Sequence, residues 1–217
     1  MTHSQAAAFL RLMTDRRSVP AAALTDPAPD EATLAQLLQA AASVPDHGGL
    51  VPWRLLQIRG AARARLGELF AESMRRRQPD APAGLIERER DKPMRAPLLL
   101  GLICSPTPDH PKVPLWEQQA TAATVGGYLL LAAEAAGFGG VWLSGGRCAD
   151  PWLRAGLGVA DHEQLLGFVN LGTPVQRPVP RRRPQPQEIL TDWEAPRAGQ
   201  PASEDRARQQ AARAGGE

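Results

Sequence analysis

Pro97-Leu98-Leu99-Leu100-Gly101-Leu102-Ile103-Cys104 is the stretch on which the fold turns. Eight residues without a charge and without polar alternation predict a strand buried on both faces, at the centre of a sheet. Downstream, Leu115 to Ala136 predicts the longest helix. It carries little charge beyond Glu117 and Glu134, and holds Ala120, Ala122, Ala123, Gly126 and Gly127. A helix that is small and apolar on most faces is expected to be buried on most faces. Each glycine costs about 1 kcal/mol against alanine, so close backbone packing should compensate. A second subunit is expected to meet part of this helix.

Further outward on the C-terminal side, Gly137-Phe138-Gly139-Gly140 ends the helix, and Val141 to Ser144 reads as a strand leading into a Gly145-Gly146 turn. Asp150 to Leu157 predicts a short helix and Gln164 to Asn170 a second buried strand. On the N-terminal side, Leu55 to Ile58 predicts a short strand, Ala61 to Arg77 a helix with a basic end, and Gly84 to Asp91 a short charged helix. Ser4 to Asp15 reads as an amphipathic helix capped by Ser4. Val19 to Pro29 reads as a loop. A helix starting near Asp30 carries Leu34, Leu37 and Leu38 and stops before Pro45, because a residue preceding proline avoids helical dihedrals. Pro45 to Trp53, with two prolines, two glycines, a histidine and a tryptophan, predicts a shaped loop. Residues 175–187 read as extended, Glu188 to Trp193 as a short docking segment, and the polar 195–217 as a disordered or loosely helical tail.

A chain of 217 residues fits one domain, or one domain with a tail. Its formal net charge of +2 argues against a dedicated nucleic-acid binder. No apolar run approaches the roughly 20 residues of a membrane helix. Cys104 and Cys148 lack redox or metal spacing and read as reduced thiols, so a cytoplasmic protein is expected. The four histidines are scattered without ligand spacing, and no metal is expected. Familiar catalytic templates fail: there is no P-loop, Gly137-Phe138-Gly139-Gly140 precedes a strand rather than following one, and Ser144 sits outside any nucleophile elbow.

What remains is a set of binding features. Arg16-Arg17-Ser18, just past the first helix, brings two planar guanidinium forks and a hydroxyl together, a donor set suited to a phosphate. The shaped loop, the glycine-flanked strand end from Trp142 to Gly146, and the late cluster Arg181-Arg182-Arg183 complete the set.

In this order the chain resembles the FMN-dependent nitroreductase family, and within it the YdjA-like branch. The residues that carry the resemblance are Arg16-Arg17-Ser18, Ala28-Pro29, Pro45-Asp46-His47 with Pro52-Trp53, and Arg95-Ala96-Pro97-Leu98. They continue with Lys112-Val113-Pro114, Trp116-Glu117-Gln118, Gly137 to Trp142 with Ser144-Gly145, and Gly167-Phe168 with Leu171 to Pro174. The resemblance covers roughly residues 5 to 175 and implies an α+β fold. Its central mixed sheet would be flanked by helices in an intertwined homodimer, with FMN at the subunit interface. The FMN-binding domain would span 1–194, with 195–217 as its tail.

Residue by residue, the resemblance implies that Arg16, Arg17 and Ser18 hold the phosphate and ribityl end. Pro45, Asp46 and His47 would reach the flavin from the partner chain, and Trp142, Leu143 and Ser144 would line the ring. Arg183, or Arg181, would complete the phosphate grip. NAD(P)H would reduce the flavin, and a nitroaromatic, quinone or similar small acceptor would then take the electrons in ping-pong order. No side chain is assigned as catalytic. Two departures stand out, since Ser43 and Leu143 occupy positions where the close branch has Arg. Pro20 likewise stands where many relatives place a basic residue. The loss of cations at 43 and 143 implies a lower flavin potential or weaker hold on anions. It leaves a flavin-binding carrier or sensor as the alternative function. A third reading makes Arg177 to Arg183 a docking stretch for acidic partners.

Overall fold

The computed structural model describes residues 2–179, 182–191 and 193; Arg181 and the tail 195–217 lie outside the described residues. The chain divides into two units, residues 1–180 and 181–217. The described part of the second holds one short helix, Pro186–Ile189, closed by a capping box between Gln185 and Glu188 and by an Arg182–Glu188 ion pair.

Within the first unit a five-stranded sheet is built from β1 (Leu24–Thr25), β2 (Trp53–Arg59), β3 (Leu98–Cys104), β4 (Gly139–Leu143) and β5 (Gln164–Pro174). β3 lies between β2 and β5, and β5 also pairs β4 and β1. All seven residues of β3 are buried, as its unbroken apolar run predicts. The expected mixed sheet is antiparallel in every strand pair among the described residues. Its parallel element is confined to an isolated bridge between Ser18 and Gly140.

Helices cover both faces. Leu98, Leu100, Leu102, Val169 and Leu171 pack on α2 (Glu31–Ala41) and α5 (Leu115–Ala135), against Leu34, Leu37, Val125, Leu129 and Ala133. On the opposite face Leu99, Ile103, Val141, Leu165 and Phe168 meet Leu66 and Phe70 of α3 (Ala61–Arg77) and Leu153 of α6 (Pro151–Gly156). Antiparallel α4 (Ala83–Asp91) lies against α3, where a Cβ on Gly67 would stand 2.4 Å from the Arg90 carbonyl oxygen. Only glycine permits that approach.

Several sequence expectations are corrected locally. The N-cap of α1 (His3–Asp15) is Thr2 in a capping box with Gln5, not Ser4. The segment from Val19 to Pro29 is not all loop: it holds a 3-10 turn at Ala21–Ala23 and β1. β5 runs to Pro174 rather than ending at Asn170. In α5, Gly126 answers the packing expectation, since a Cβ there would lie 2.9 Å from the Trp142 ring and 3.0 Å from Leu102. Gly127 does not, having nothing within 4 Å among the described residues. α5 is therefore buried along one face, while Leu115, Trp116 and Tyr128 stay exposed. α1 buries no residue at all, and Phe9, Leu10 and Met13 remain exposed on it.

Candidate FMN site

The first helix delivers Arg16 and Arg17 to the edge of the sheet. α1 ends at Asp15, the chain turns extended at Arg16, and Ser18 then bridges Gly140 while the Val19 N–H donates to the Gly140 carbonyl at 3.1 Å. Arg17 Nη1 donates to the carbonyls of Thr14 at 2.7 Å and Arg16 at 2.9 Å. Its Nε is buried and lacks a hydrogen-bond partner among the described residues. A buried donor left unmade is costly, and an anionic ligand is the natural acceptor for it.

From Gly140 the strand leads on to Leu143, three residues and about 10 Å further. There the sheet ends in a pocket of about 240 Å3 lined by Phe70, Lys92, Leu99, Leu143, Ser144, Arg147, Phe168 and Asn170. Phe70 and Phe168 meet edge to face with ring centroids 5.3 Å apart. Asn170 is almost wholly buried and gives Nδ2 to the carbonyls of Phe168 and Val141 at 3.1 and 3.5 Å. The turn at the pocket mouth needs glycine at 145, whose φ of 120° side-chain-bearing residues rarely adopt. Among the described residues, and its chain neighbours aside, nothing lies within 4 Å of where its Cβ would be, so the backbone there is open to a ligand.

Trp142 does not join this pocket. Its ring packs on Gly126 from the α5 side of the sheet, and Nε1 donates to the Leu166 carbonyl at 3.2 Å. Strand alternation puts Trp142 and Leu143 on opposite faces, so the two cannot line one surface with their side chains.

Pro45, Asp46 and His47 are brought together elsewhere, on α5. Thr121 Oγ1 donates to the Pro45 carbonyl at 3.4 Å, and His47 Nδ1 lies 2.8 Å from Glu117 Oε1. Asp46 Oδ2 accepts from the Val51 N–H at 2.7 Å, pinning a loop in which Gly48, Gly49 and Val51 all take positive φ. These three residues line a shallow concavity with Glu117, Ala120, Thr121 and Thr124 that shares no residue with the pocket at Leu143. Within one chain the two halves of the expected site are thus apart. Arg183 belongs to the second unit and is exposed.

Lys92 and Arg147 were missed by sequence reading. Both pair with Glu89 of α4: Lys92 Nζ with Oε1, and Arg147 Nη2 with Oε2 at 3.0 Å. Glu89 is only 4% exposed. The Arg147 guanidinium also lies over the Phe70 ring, 4.6 Å from its centroid, and burial pulls its pKa below the ordinary arginine value. Lys92 is one of the chain's two lysines, a scarcity that could have drawn attention to it. Arg147 carried no such signal, because its partner lies 58 positions earlier in the chain.

The profile of the nitroreductase family matches residues 13–173. This chain belongs to the nitroreductase family. A relative with 35% identity over 165 residues, 76% of this chain and 87% of its own, is the Escherichia coli K12 protein YdjA. Its name assigns it provisionally to the NAD(P)H nitroreductases. Among solved structures, the nitroreductase-like family protein from Bacillus cereus superposes with a TM-score of 0.76 at 23% identity, covering 86% of this chain and 96% of that one. A variant of NfnB, described as an FMN- and NADPH-dependent nitroreductase from Sphigopyxis strain HMH, gives 0.64 at 22% identity over 89% and 99%. The nitroreductase-like α+β fold, helices on both faces of the sheet, is therefore shared. No helix among the described residues is long and apolar enough to cross a membrane.

Proposed function

We propose that this nitroreductase-family chain is a cytoplasmic FMN oxidoreductase, working as a homodimer, that moves electrons from NAD(P)H to a nitroaromatic, quinone or similar small acceptor. The observation that carries the reading is the placement of two features on one strand. Arg16, Arg17 and Ser18 sit at the start of β4, and the aromatic-lined pocket at its end. That arrangement fits a ligand with a phosphate at one end and a flat ring system at the other. A phosphate held by several charge-assisted hydrogen bonds, each worth about 1.5–3 kcal/mol, needs no covalent tether.

When bound, FMN supplies the hydride chemistry. Arg16 and Arg17 would hold its phosphate, with Arg183 or Arg181 as candidates to join them. The backbone at Ser144 and Gly145 would approach the ring system, and Phe70, Leu99 and Phe168 would keep water from that side of the pocket. No side chain is assigned a proton transfer. The separation of Pro45-Asp46-His47 from the Leu143 pocket within one chain supports a site completed by a second copy, as do the exposed Phe9 and Met13 on α1 and Trp116 and Tyr128 on α5. The FMN-binding domain in this reading is residues 1–194 and the tail 195–217.

The test is anaerobic stopped-flow absorbance of the FMN-loaded protein mixed with NADPH, then NADH. Bleaching within seconds, reversed by a nitroaromatic or quinone, is the expected result. A flavin band that persists would make the protein a carrier or sensor instead, and a protein that takes up no FMN would overturn the reading altogether.

A further inference from the structure

The pocket at the end of β4 is more than an apolar slot. Two cations, Lys92 and Arg147, share one carboxylate, Glu89, and Arg77 lies close enough to Arg147 to repel it, so positive charge prevails around the pocket wall. The arrangement is rigid where it matters. Gly145 and Gly146 turn the chain so that the 3-10 segment Gly146–Ala149 points Arg147 back across the pocket, and the side chain is 17% exposed. One side of the guanidinium is fixed by the Glu89 carboxylate, and its central carbon lies over the Phe70 ring. Glu89 is itself held in place by the close approach of α4 to α3 at Gly67. Arginine keeps its proton even when burial works against it. A fixed charge of this kind, shielded from water, acts strongly on whatever lies beside it.

Nothing in the packing requires a charge here. Apolar residues of similar volume in place of both Arg147 and Glu89 would spare the cost of burying the pair, since buried pairs seldom stabilise more than an apolar replacement does. A fixed cation beside a redox group favours the electron-rich form of that group. We propose that Arg147, locked by Glu89 and Phe70, is the residue by which this chain sets the reduction potential of its flavin. Glu89 is the counterweight that limits the effect. The inference rests on the FMN reading above. It replaces the expectation, drawn from Leu143, that this side of the site has lost its cation: the charge enters the same pocket from four residues further along.

The test is the two-electron midpoint potential of the FMN-loaded protein, measured by equilibration with a reference dye, for wild type, R147M, R147K and E89Q. R147M is expected to lower the potential, weakening the reduced form about tenfold relative to the oxidised form, which for a two-electron couple is about 30 mV. E89Q is expected to shift it in the opposite direction, and R147K to remain near wild type. Opposite signs from two substitutions in one ion pair cannot come from loosened packing, which would move both the same way. An unchanged potential in R147M, or shifts of the same sign in R147M and E89Q, would overturn the inference. So would an unmoved potential accompanied by a raised KM for nitrobenzoate but not for neutral nitrobenzene, which would make Arg147 a substrate anchor. Wild type that takes up no FMN would remove the underlying reading as well, a failure seen before any variant is made.

Discussion

The two faces of the sheet are built to different ends. The face under α2 and α5 is dry and close-packed, with leucines from β3 and β5 meeting Leu34, Leu37 and Leu129, and Gly126 letting α5 settle onto Trp142. The face under α3 and α6 is packed at its centre but opens at the end of β4 into a pocket with buried charge on its wall. Apolar surface was available for both, so the opening is a departure from the cheapest packing. Departures of that kind are expected where a protein does its chemistry.

Truncating one leucine on each face gives the largest test of this contrast. Leu102 is fully buried on the dry face and touches the Gly126 position, so L102A should cost about 3–5 kcal/mol in denaturant unfolding. Leu99 lines the pocket on the other face, where part of the surrounding space is already unfilled. L99A should cost about 2 kcal/mol, near the low end of such substitutions, and should weaken FMN binding, which L102A should leave alone unless it unfolds the protein. Equal costs for the two would remove the distinction between the faces.

Next in size is an acid effect at the end of the sheet. Arg54 Nε and Nη2 grip Glu163 at 2.7 and 2.6 Å, and the Ala160 N–H donates to the same carboxylate at 2.9 Å. The hydrogen bonds from Arg54 do most to hold the Glu163 carboxyl at about 2, below its ordinary 4.5, against the opposing effect of burial. A depressed carboxylate pKa contributes stability that is complete above the ordinary value and disappears as the pH falls toward the depressed one. Between about pH 5 and pH 2 this group should therefore withdraw up to about 3 kcal/mol. Urea midpoints measured across that window should fall for wild type and fall less for E163Q.

G126A examines the dry face from the helix side. The added Cβ would meet the Trp142 ring at 2.9 Å and Leu102 at 3.0 Å, so a helix-favouring alanine should still destabilise, by about 1–3 kcal/mol. G127A, one residue on, meets nothing within 4 Å among the described residues. It should gain up to about 1 kcal/mol of helix propensity in a monomer. Loss of dimer in sedimentation for G127A would instead show that the second copy packs there.

Much of this was legible in the sequence because it rested on local rules. The bounds of α3 follow from its composition, β3 from its unbroken apolar run, and the start of α2 near Asp30 from the acidic residues that precede a leucine repeat. The first 3-10 turn and β1 were not, since Leu24 and Thr25 form a strand only by pairing with Pro174 and Thr173, about 150 residues away. The proposed site divides the same way. Arg16 to Ser18 and the turn at Ser144-Gly145 are contiguous signals. The Glu89–Arg147 pair and the burial of Trp142 against α5 are consequences of tertiary packing, and no spacing in the chain encodes them.

The smallest expected effect concerns the loop that a second copy would use. His47 and Glu117 lie 2.8 Å apart with 54% and 31% of their side chains exposed, and pairs in that setting contribute about 0–1 kcal/mol. H47A should therefore barely change the unfolding midpoint of the isolated subunit. The loop has other anchors, Asp46 to the Val51 N–H and Thr121 to the Pro45 carbonyl, and both remain when His47 is removed. A stability change well under 1 kcal/mol combined with a severalfold rise in the Kd for FMN would mean that His47 matters to a flavin it cannot reach through the Leu143 pocket of its own chain. Unchanged FMN affinity would restrict His47 to holding the loop against Glu117, and Pro45 and Asp46 would then be the residues left to bring that loop to the flavin.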